Sequence, residues 1–243
     1  MRILLFANRT TKEIVRDPMS IFFGLGFPLV LMFLLSAINK SIPVDLFDIG
    51  QLTPGIAVFG LSFMGLFAAQ VISKDRGNSF LTRLFTTPMT SQDFIIGYSF
   101  PLVVMAIAQG IVCYITAIFL GLSISTSMII AISLLILPGL IFVSLGLICG
   151  SLLSEKAATG LCGALLTNLA AWLSGIWFDL DLVGGVFKDI AYLLPFVHAV
   201  DMGRAALNGQ YSDIFPHIWW VFSYAIILSL LAIVIFRKKM KAD

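Results

Sequence analysis

Five stretches of this chain contain no Asp, Glu, Lys or Arg: Pro18 to Asn39, Ile49 to Ser73, Phe94 to Ser154, Ala157 to Phe178, and Ile214 to Phe236, of 22, 25, 61, 22 and 23 residues. A hydrocarbon core takes about 20 apolar residues per helical crossing. The longest stretch is about twice too long for one pass, and the turn-like run from Gly121 to Ser127 divides it. Six spans are expected, at 19–38, 51–72, 94–121, 128–152, 158–178 and 215–236. The fold class that follows is an all-α integral membrane domain with six transmembrane helices, covering residues 19–238.

Composition agrees: of 243 residues, 59% are hydrophobic and 12% charged, more apolar surface than a soluble core can use. With no long polar segment there is no room for a soluble catalytic domain. The first 17 residues lack an apolar core of their own, and the first apolar run is long enough to span, so no cleavable signal peptide is expected. Nothing in the charge pattern points to nucleic acid.

Basic residues orient the chain. An even number of spans puts both termini on one side, together with 12 of the 15 Lys and Arg residues. These are Arg2, Arg9, Lys12, Arg16, Lys74, Arg76, Arg83, Lys156, Arg237, Lys238, Lys239 and Lys241, leaving Lys40, Lys188 and Arg204 for the other face. The bias of Lys and Arg toward cytoplasmic loops then places both termini in the cytoplasm of a cell membrane. Within the spans, Gly60, Gly65, Gly146, Gly150, Gly160 and Gly163 suit close helix packing. Cys113, Cys149 and Cys162 form no C-x-x-C pair and read as small packing residues.

Residues 1–18 read as an interfacial amphipathic helix, with Ile3, Leu4, Ala7, Ile14 and Val15 on one side and Arg9, Lys12, Glu13 and Arg16 on the other. It serves as an anchor, or as an elbow that also touches a cytoplasmic partner. The loop between the second and third spans holds a short helix capped by Asn78 or Ser79 and ended by Pro88, with Phe80, Leu81, Leu84 and Phe85 as an apolar stripe. Two turns cannot stand alone in water, so the stripe docks on its own span ends or in a groove on another protein. Between the last two spans, the apolar run Ile190 to Val200 is too short to cross and reads as re-entrant or interfacial.

The run Leu52-Thr53-Pro54-Gly55-Ile56, the pair Asp75-Arg76 and the loop from Leu81 to Pro88 resemble the membrane subunits of type-2 ATP-binding-cassette (ABC) export systems, the drug-exporter branch in particular. Arg16-Asp17-Pro18 is similar to that family's entry into the first span, and Leu194-Pro195 with Asp201, Arg204 and Gly209 to its stretch before the last. The resemblance implies a coupling helix that contacts an ATPase subunit through Ser79, Phe80, Arg83, Leu84, Phe85 and Thr86. It also implies an outer re-entrant segment carrying Pro195, Asp201 and Arg204. A second permease copy or a paralogue would complete a dimeric path, and ATP and Mg would be held by the partner ATPase. Where the family usually has Glu then Gly before the coupling helix, this chain has Asn78 and Ser79; Asp75 then stands in for the acidic contact.

The chain has no G-x-x-x-x-G-K-[ST] phosphate loop, G-x-S-x-G or H-E-x-x-H, and His198 and His217 lack companions at ligand spacing. No acidic residue or histidine lies in the first five spans to carry a coupling ion. Gln70, Gln109 and Asn168 are the polar exceptions there. These features favour a permease subunit for a hydrophobic or amphipathic substrate (drug, peptide or lipid), driven by a separate ATPase. The alternatives are a passive channel, which lacks a visible filter or charged ring, a membrane scaffold for another cytoplasmic protein, or a secondary transporter without an ion site.

Overall fold

Asp17 decides how the chain enters the membrane. Its carboxylate accepts from the backbone N–H of Met19 and Ser20 at 3.3 and 3.1 Å and from the Ser20 hydroxyl at 2.6 Å. Pro18 occupies the first helical position, where its missing N–H has no intrahelical partner to lose. This cap separates α1 (Arg2–Arg16) from α2 (Pro18–Ser41). The computed structural model describes residues 2–41, 48–78 and 90–242. The expected coupling-helix residues Ser79, Phe80, Arg83, Leu84, Phe85 and Thr86 lie outside these.

Three further long helices follow: α3 (Ile49–Gly77), α4 (Ser91–Phe119) and α5 (Thr126–Leu152). Asp48 caps α3 through the N–H groups of Gly50 and Gln51, and Thr90 with Asp93 forms a reciprocal capping box on α4. Gly121, at φ +113°, makes the turn between α4 and α5, a conformation that a side chain would oppose. Pro138 has no N–H to give the Leu134 carbonyl, and α5 is correspondingly interrupted at Leu135.

The fifth expected span is shorter than its charge-free stretch. Helix α6 (155–172) consists of three six-residue pieces, Glu155–Gly160, a π-helical turn Leu161–Leu166, and Thr167–Trp172. Residues 173–178 leave the helix, with Gly175 at φ +67°. At 1.5 Å per residue α6 reaches about 27 Å, just under a hydrocarbon core of about 30 Å.

Then come α7 (Leu180–Val183), α8 (Gly185–Leu193), α9 (Pro195–Leu207) and the last long helix α10 (Tyr211–Ala242). Helices α8 and α9 meet at 78°, because Leu194 before Pro195 is held extended, at φ −92° and ψ 155°. Among the described residues, α2, α3, α4, α5 and α10 are long and apolar enough to cross a membrane, and the bent α8–α9 pair makes a sixth candidate if counted as one span. The expected all-α membrane architecture and the broken outer pair are both present.

Helix α3 is the axis of the bundle, buried along most of its length. Its contact with α5 is backbone-close: a Cβ on Gly146 would lie 2.1 Å from the Gly65 carbonyl oxygen, and one on Gly150 would lie 2.8 Å from that of Ala69. Phe23 and Phe27 of α2 pack against Phe59 and Phe63 of α3 at ring separations from 5.6 to 6.4 Å. Phe33, Phe100, Ile115, Trp219 and Ile227 point out of the bundle. Of the polar exceptions, Gln109 is buried and donates to the Cys113 sulfur at 3.2 Å, and Asn168 bonds back to the Ala164 carbonyl at 2.7 Å.

Candidate functional site

Two clusters of polar side chains close the two ends of the bundle. At the end that carries most of the basic residues, Asp75 on the last turn of α3 is only 3% exposed. A buried carboxylate is costly unless it is paired and hydrogen-bonded. Arg9 of α1 forks onto both its oxygens, Nη1 to Oδ2 and Nη2 to Oδ1, the second at 2.6 Å. The Tyr98 hydroxyl of α4 donates to Oδ2 at 2.7 Å. Arg9 also contacts Glu13 at 2.8 Å, and Glu13 contacts Lys74 at 3.2 Å.

Packing reinforces the charge. One turn before Arg9, Phe6 lies edge-on to Phe94 and Tyr98 at 5.5 and 4.9 Å. Gly97 leaves room for it, since a Cβ there would come within 2.3 Å of the Phe6 ring. Arg76 turns the other way and donates to the carbonyls of Ser151 and Leu153 at the end of α5, the second at 2.5 Å, where helix carbonyls lack intrahelical partners. Two successive residues of α3 thus bind α1 and α4 on one side and α5 on the other. Both lie within a turn of the point where the chain leaves α3 toward residues 79–89.

This geometry revises two expectations. The buried side of α1 carries Phe6, Ala7, Thr10 and Ile14, while Leu4, Leu5 and Val15 are exposed; the helix presents apolar groups both to α4 and away from the bundle. Asp75 does not offer its carboxylate to a partner, because Arg9 and Tyr98 already hold it inside. Alongside, a cavity of about 580 Å³ is lined by Glu13, Arg16, Phe67, Gln70, Lys74 and Glu155, among others. Of the polar exceptions, Gln70 is the one that faces this space.

At the opposite end, α9 is pressed into the bundle. A Cβ on Gly203 would lie 2.9 Å from that of Pro54 in α3, and Phe196 stacks on Phe142 of α5 at 5.5 Å. Pro195 takes the first position of α9 and is buried. Asp201 and Arg204 come together one turn apart at 3.4 Å. Arg204 also donates to the Gln51 carbonyl at 3.2 Å and to that of Gly175 at 2.9 Å, so it ties α9 to the start of α3 and to the chain leaving α6. A cavity of about 570 Å³ opens here, with Gln51, Trp177, Phe178, Tyr192, Asp201 and Arg204 in its wall.

The two histidines are each other's partner. His198 of α9 and His217 of α10 meet Nδ1 to Nδ1 at 2.9 Å, and His198 Nε2 lies 2.9 Å from the Tyr192 carbonyl. The His198 ring is also stacked on Trp220 at 5.2 Å. Because a carbonyl only accepts, Nε2 of His198 carries hydrogen; the neutral pair then needs His217 Nδ1 as donor. Tyr224 donates to the Leu193 carbonyl at 2.8 Å, a second tie from α10 to the α8–α9 bend. Among the described residues no three His, Cys, Asp or Glu side chains gather as a metal site.

Asp201 and Arg204, named from the family resemblance, lie together in the structure, whereas the Arg9–Asp75–Tyr98 cluster and the histidine contact have no counterpart in the sequence reading. Its available signals were a carboxylate placed immediately after an apolar run and a tyrosine early in the next one. Neither signal names its partner.

Comparison with known proteins agrees with this architecture. Residues 1–208 match the family described as ABC-2 type transporter. Nodulation protein J of Rhizobium leguminosarum bv. viciae is 24% identical over 225 residues, covering 92% of this chain and 85% of that protein. Nodulation protein J of Bradyrhizobium diazoefficiens is 26% identical over 225 residues, covering 92% and 84%. The chain therefore belongs to the ABC-2 type transporter family, as a multi-pass membrane permease subunit of the kind that carries no ATPase domain of its own.

Proposed function

We propose that this permease forms half of a translocation path for a hydrophobic or amphipathic cargo, completed by a second copy or a paralogue, with both termini in the cytoplasm. A separate ABC ATPase subunit, holding ATP and Mg, engages Ser79, Phe80, Arg83, Leu84, Phe85 and Thr86 and drives export. The observation that carries this reading is the hub at the root of that segment. Asp75 and Arg76 join α3 to α1, α4 and α5, so a push on residues 79–86 is delivered to four helices rather than absorbed by one loop. Coupling between distant sites travels through such rigid, contiguous elements. The partition of basic residues supports the orientation. The Asp201–Arg204 tie supports a role for α8 and α9 as an outer roof.

The test is copurification of the full chain with its ATPase. Leu84→Asp together with Phe85→Asp should abolish assembly while membrane insertion is retained. Normal copurification and ATP-dependent export by that double variant would refute the docking role, and export by the purified permease without any ATPase would refute the whole reading.

A further inference from the structure

Helix α10 does not stop where its apolar stretch stops. Ile214 to Phe236 gives 23 residues without a charge, about 35 Å of helix, enough for a hydrocarbon core of about 30 Å. The helix runs on to Ala242, and the next residues after Phe236 are Arg237, Lys238, Lys239, Met240 and Lys241. Arg237, Lys238 and Lys239 are exposed, and among the described residues none of the three has an ion pair.

Two features fix the depth of this run. Phe236 is 3% exposed, and its ring lies 6.4 Å from that of Phe94 and 6.5 Å from that of Tyr98, the two rings of α4 against which Phe6 of α1 packs. The cations therefore leave the bundle at the level of the Arg9–Asp75–Tyr98 cluster, where its polar end begins. The second feature is length. A bilayer is about 40–45 Å thick with its headgroups, which leaves about 5–7 Å of headgroup layer on each side, and three residues of helix rise about 4.5 Å. Arg237 to Lys239 thus fall among lipid phosphates rather than in the water beyond them.

We infer that the basic end of α10 is a contact site for anionic phospholipid, with headgroup phosphates at Arg237, Lys238 and Lys239. Guanidinium and ammonium groups donate charge-assisted hydrogen bonds to phosphate oxygens, and cations just beyond a membrane crossing draw anionic lipid to themselves. Because Phe236 is seated against Phe94 and Tyr98, lipid held there also holds the end of α10 on the start of α4. The site uses none of the residues assigned to the ATPase contact and is independent of the cargo path.

The test places the full-length chain in nanodiscs of equal phosphatidylglycerol and phosphatidylcholine, with one lipid or the other carrying a diazirine near its glycerol, and maps the photoadducts by mass spectrometry. Adducts on residues 237–243 should favour phosphatidylglycerol by at least about fivefold, the gain from a single cation near an anionic surface. Arg237→Gln, Lys238→Gln, Lys239→Gln and Lys241→Gln combined should bring the two lipids to parity at this end. Arg237→Lys with Lys238→Arg and Lys239→Arg should keep the preference, which separates loss of charge from loss of fold. Parity in the parent chain, the result expected if the run faces water or another protein, would overturn the site. So would an unchanged preference in the Gln variant, or its loss in the charge-keeping one.

Discussion

Replacing Gly146 by Ala puts the central helix contact under direct test. The new Cβ would lie 2.1 Å from the Gly65 carbonyl oxygen and 2.7 Å from the Ala68 Cβ. A carbon and a carbonyl oxygen rest no closer than about 3.3 Å even in Cα–H···O contacts, so α3 and α5 must part by about 1 Å at their tightest point. Neither obstacle is a flexible side chain that could rotate away. Overpacking of this kind costs about 1–3 kcal/mol, more where backbone must move, and the gain in helix propensity of Ala over Gly returns about 1 kcal/mol. A net loss of about 2 kcal/mol corresponds to a Tm about 4–8 °C lower for a chain of this size. Gly139→Ala is the matched control. That glycine is also buried and helical, but its added Cβ would meet the Ala106 methyl at 3.4 Å, ordinary contact. Its Tm should hold or rise by about 2–4 °C, from propensity alone. Thermal unfolding of both variants in one detergent, followed by circular dichroism, reads the difference. If Gly146→Ala melts with or above the parent, or if Gly139→Ala falls as far, backbone contact between α3 and α5 does not limit stability.

Two more predictions concern the ends of the bundle. Asp75→Asn should cost about 1.5–3 kcal/mol, the range for hydrogen bonds to charged groups; it stays below the 3–5 kcal/mol of a fully buried pair because the Arg9 side chain is 34% exposed and can turn to water. A double-mutant cycle with Arg9→Gln should then show coupling, and simple additivity of the two losses would sink the pairing. The His198–His217 contact rests on one Nδ1 hydrogen held between the two rings. His217→Phe, which takes the partner from His198 Nδ1, should cost about 1–3 kcal/mol, the penalty for an unsatisfied buried polar group, and His217→Asn, which still offers a donor, should cost less; equal falls in melting point for the two variants would count against the latch.

Much of the fold, though little of the candidate site, rested on features that a sequence displays locally. Asp17-Pro18, Thr90 with Asp93, and Leu194-Pro195 act within three residues of themselves, so the entry into α2, the start of α4 and the bend between α8 and α9 could be read in advance. The apolar stretches likewise needed only their length and their lack of charge. The shortening of α6 did not show, because residues 173–178 are as apolar as the helix they leave; the end is set by backbone turns around Gly175 rather than by polarity.

The membrane-spanning nature of the chain, its helical class and the broken outer pair were determined by the order of residues alone. Desolvation of the backbone and capping are short-range effects, summed along the chain without knowledge of neighbours. Only the folded bundle decided that Asp75 faces Arg9 and Tyr98, 66 and 23 positions away, that two apparently isolated histidines share a hydrogen bond, and that Gly146 rests on the Gly65 carbonyl. Each of those contacts depends on how helices rotate and approach one another. That choice is made by the fit of whole faces, and no single stretch of sequence contains both sides of the fit.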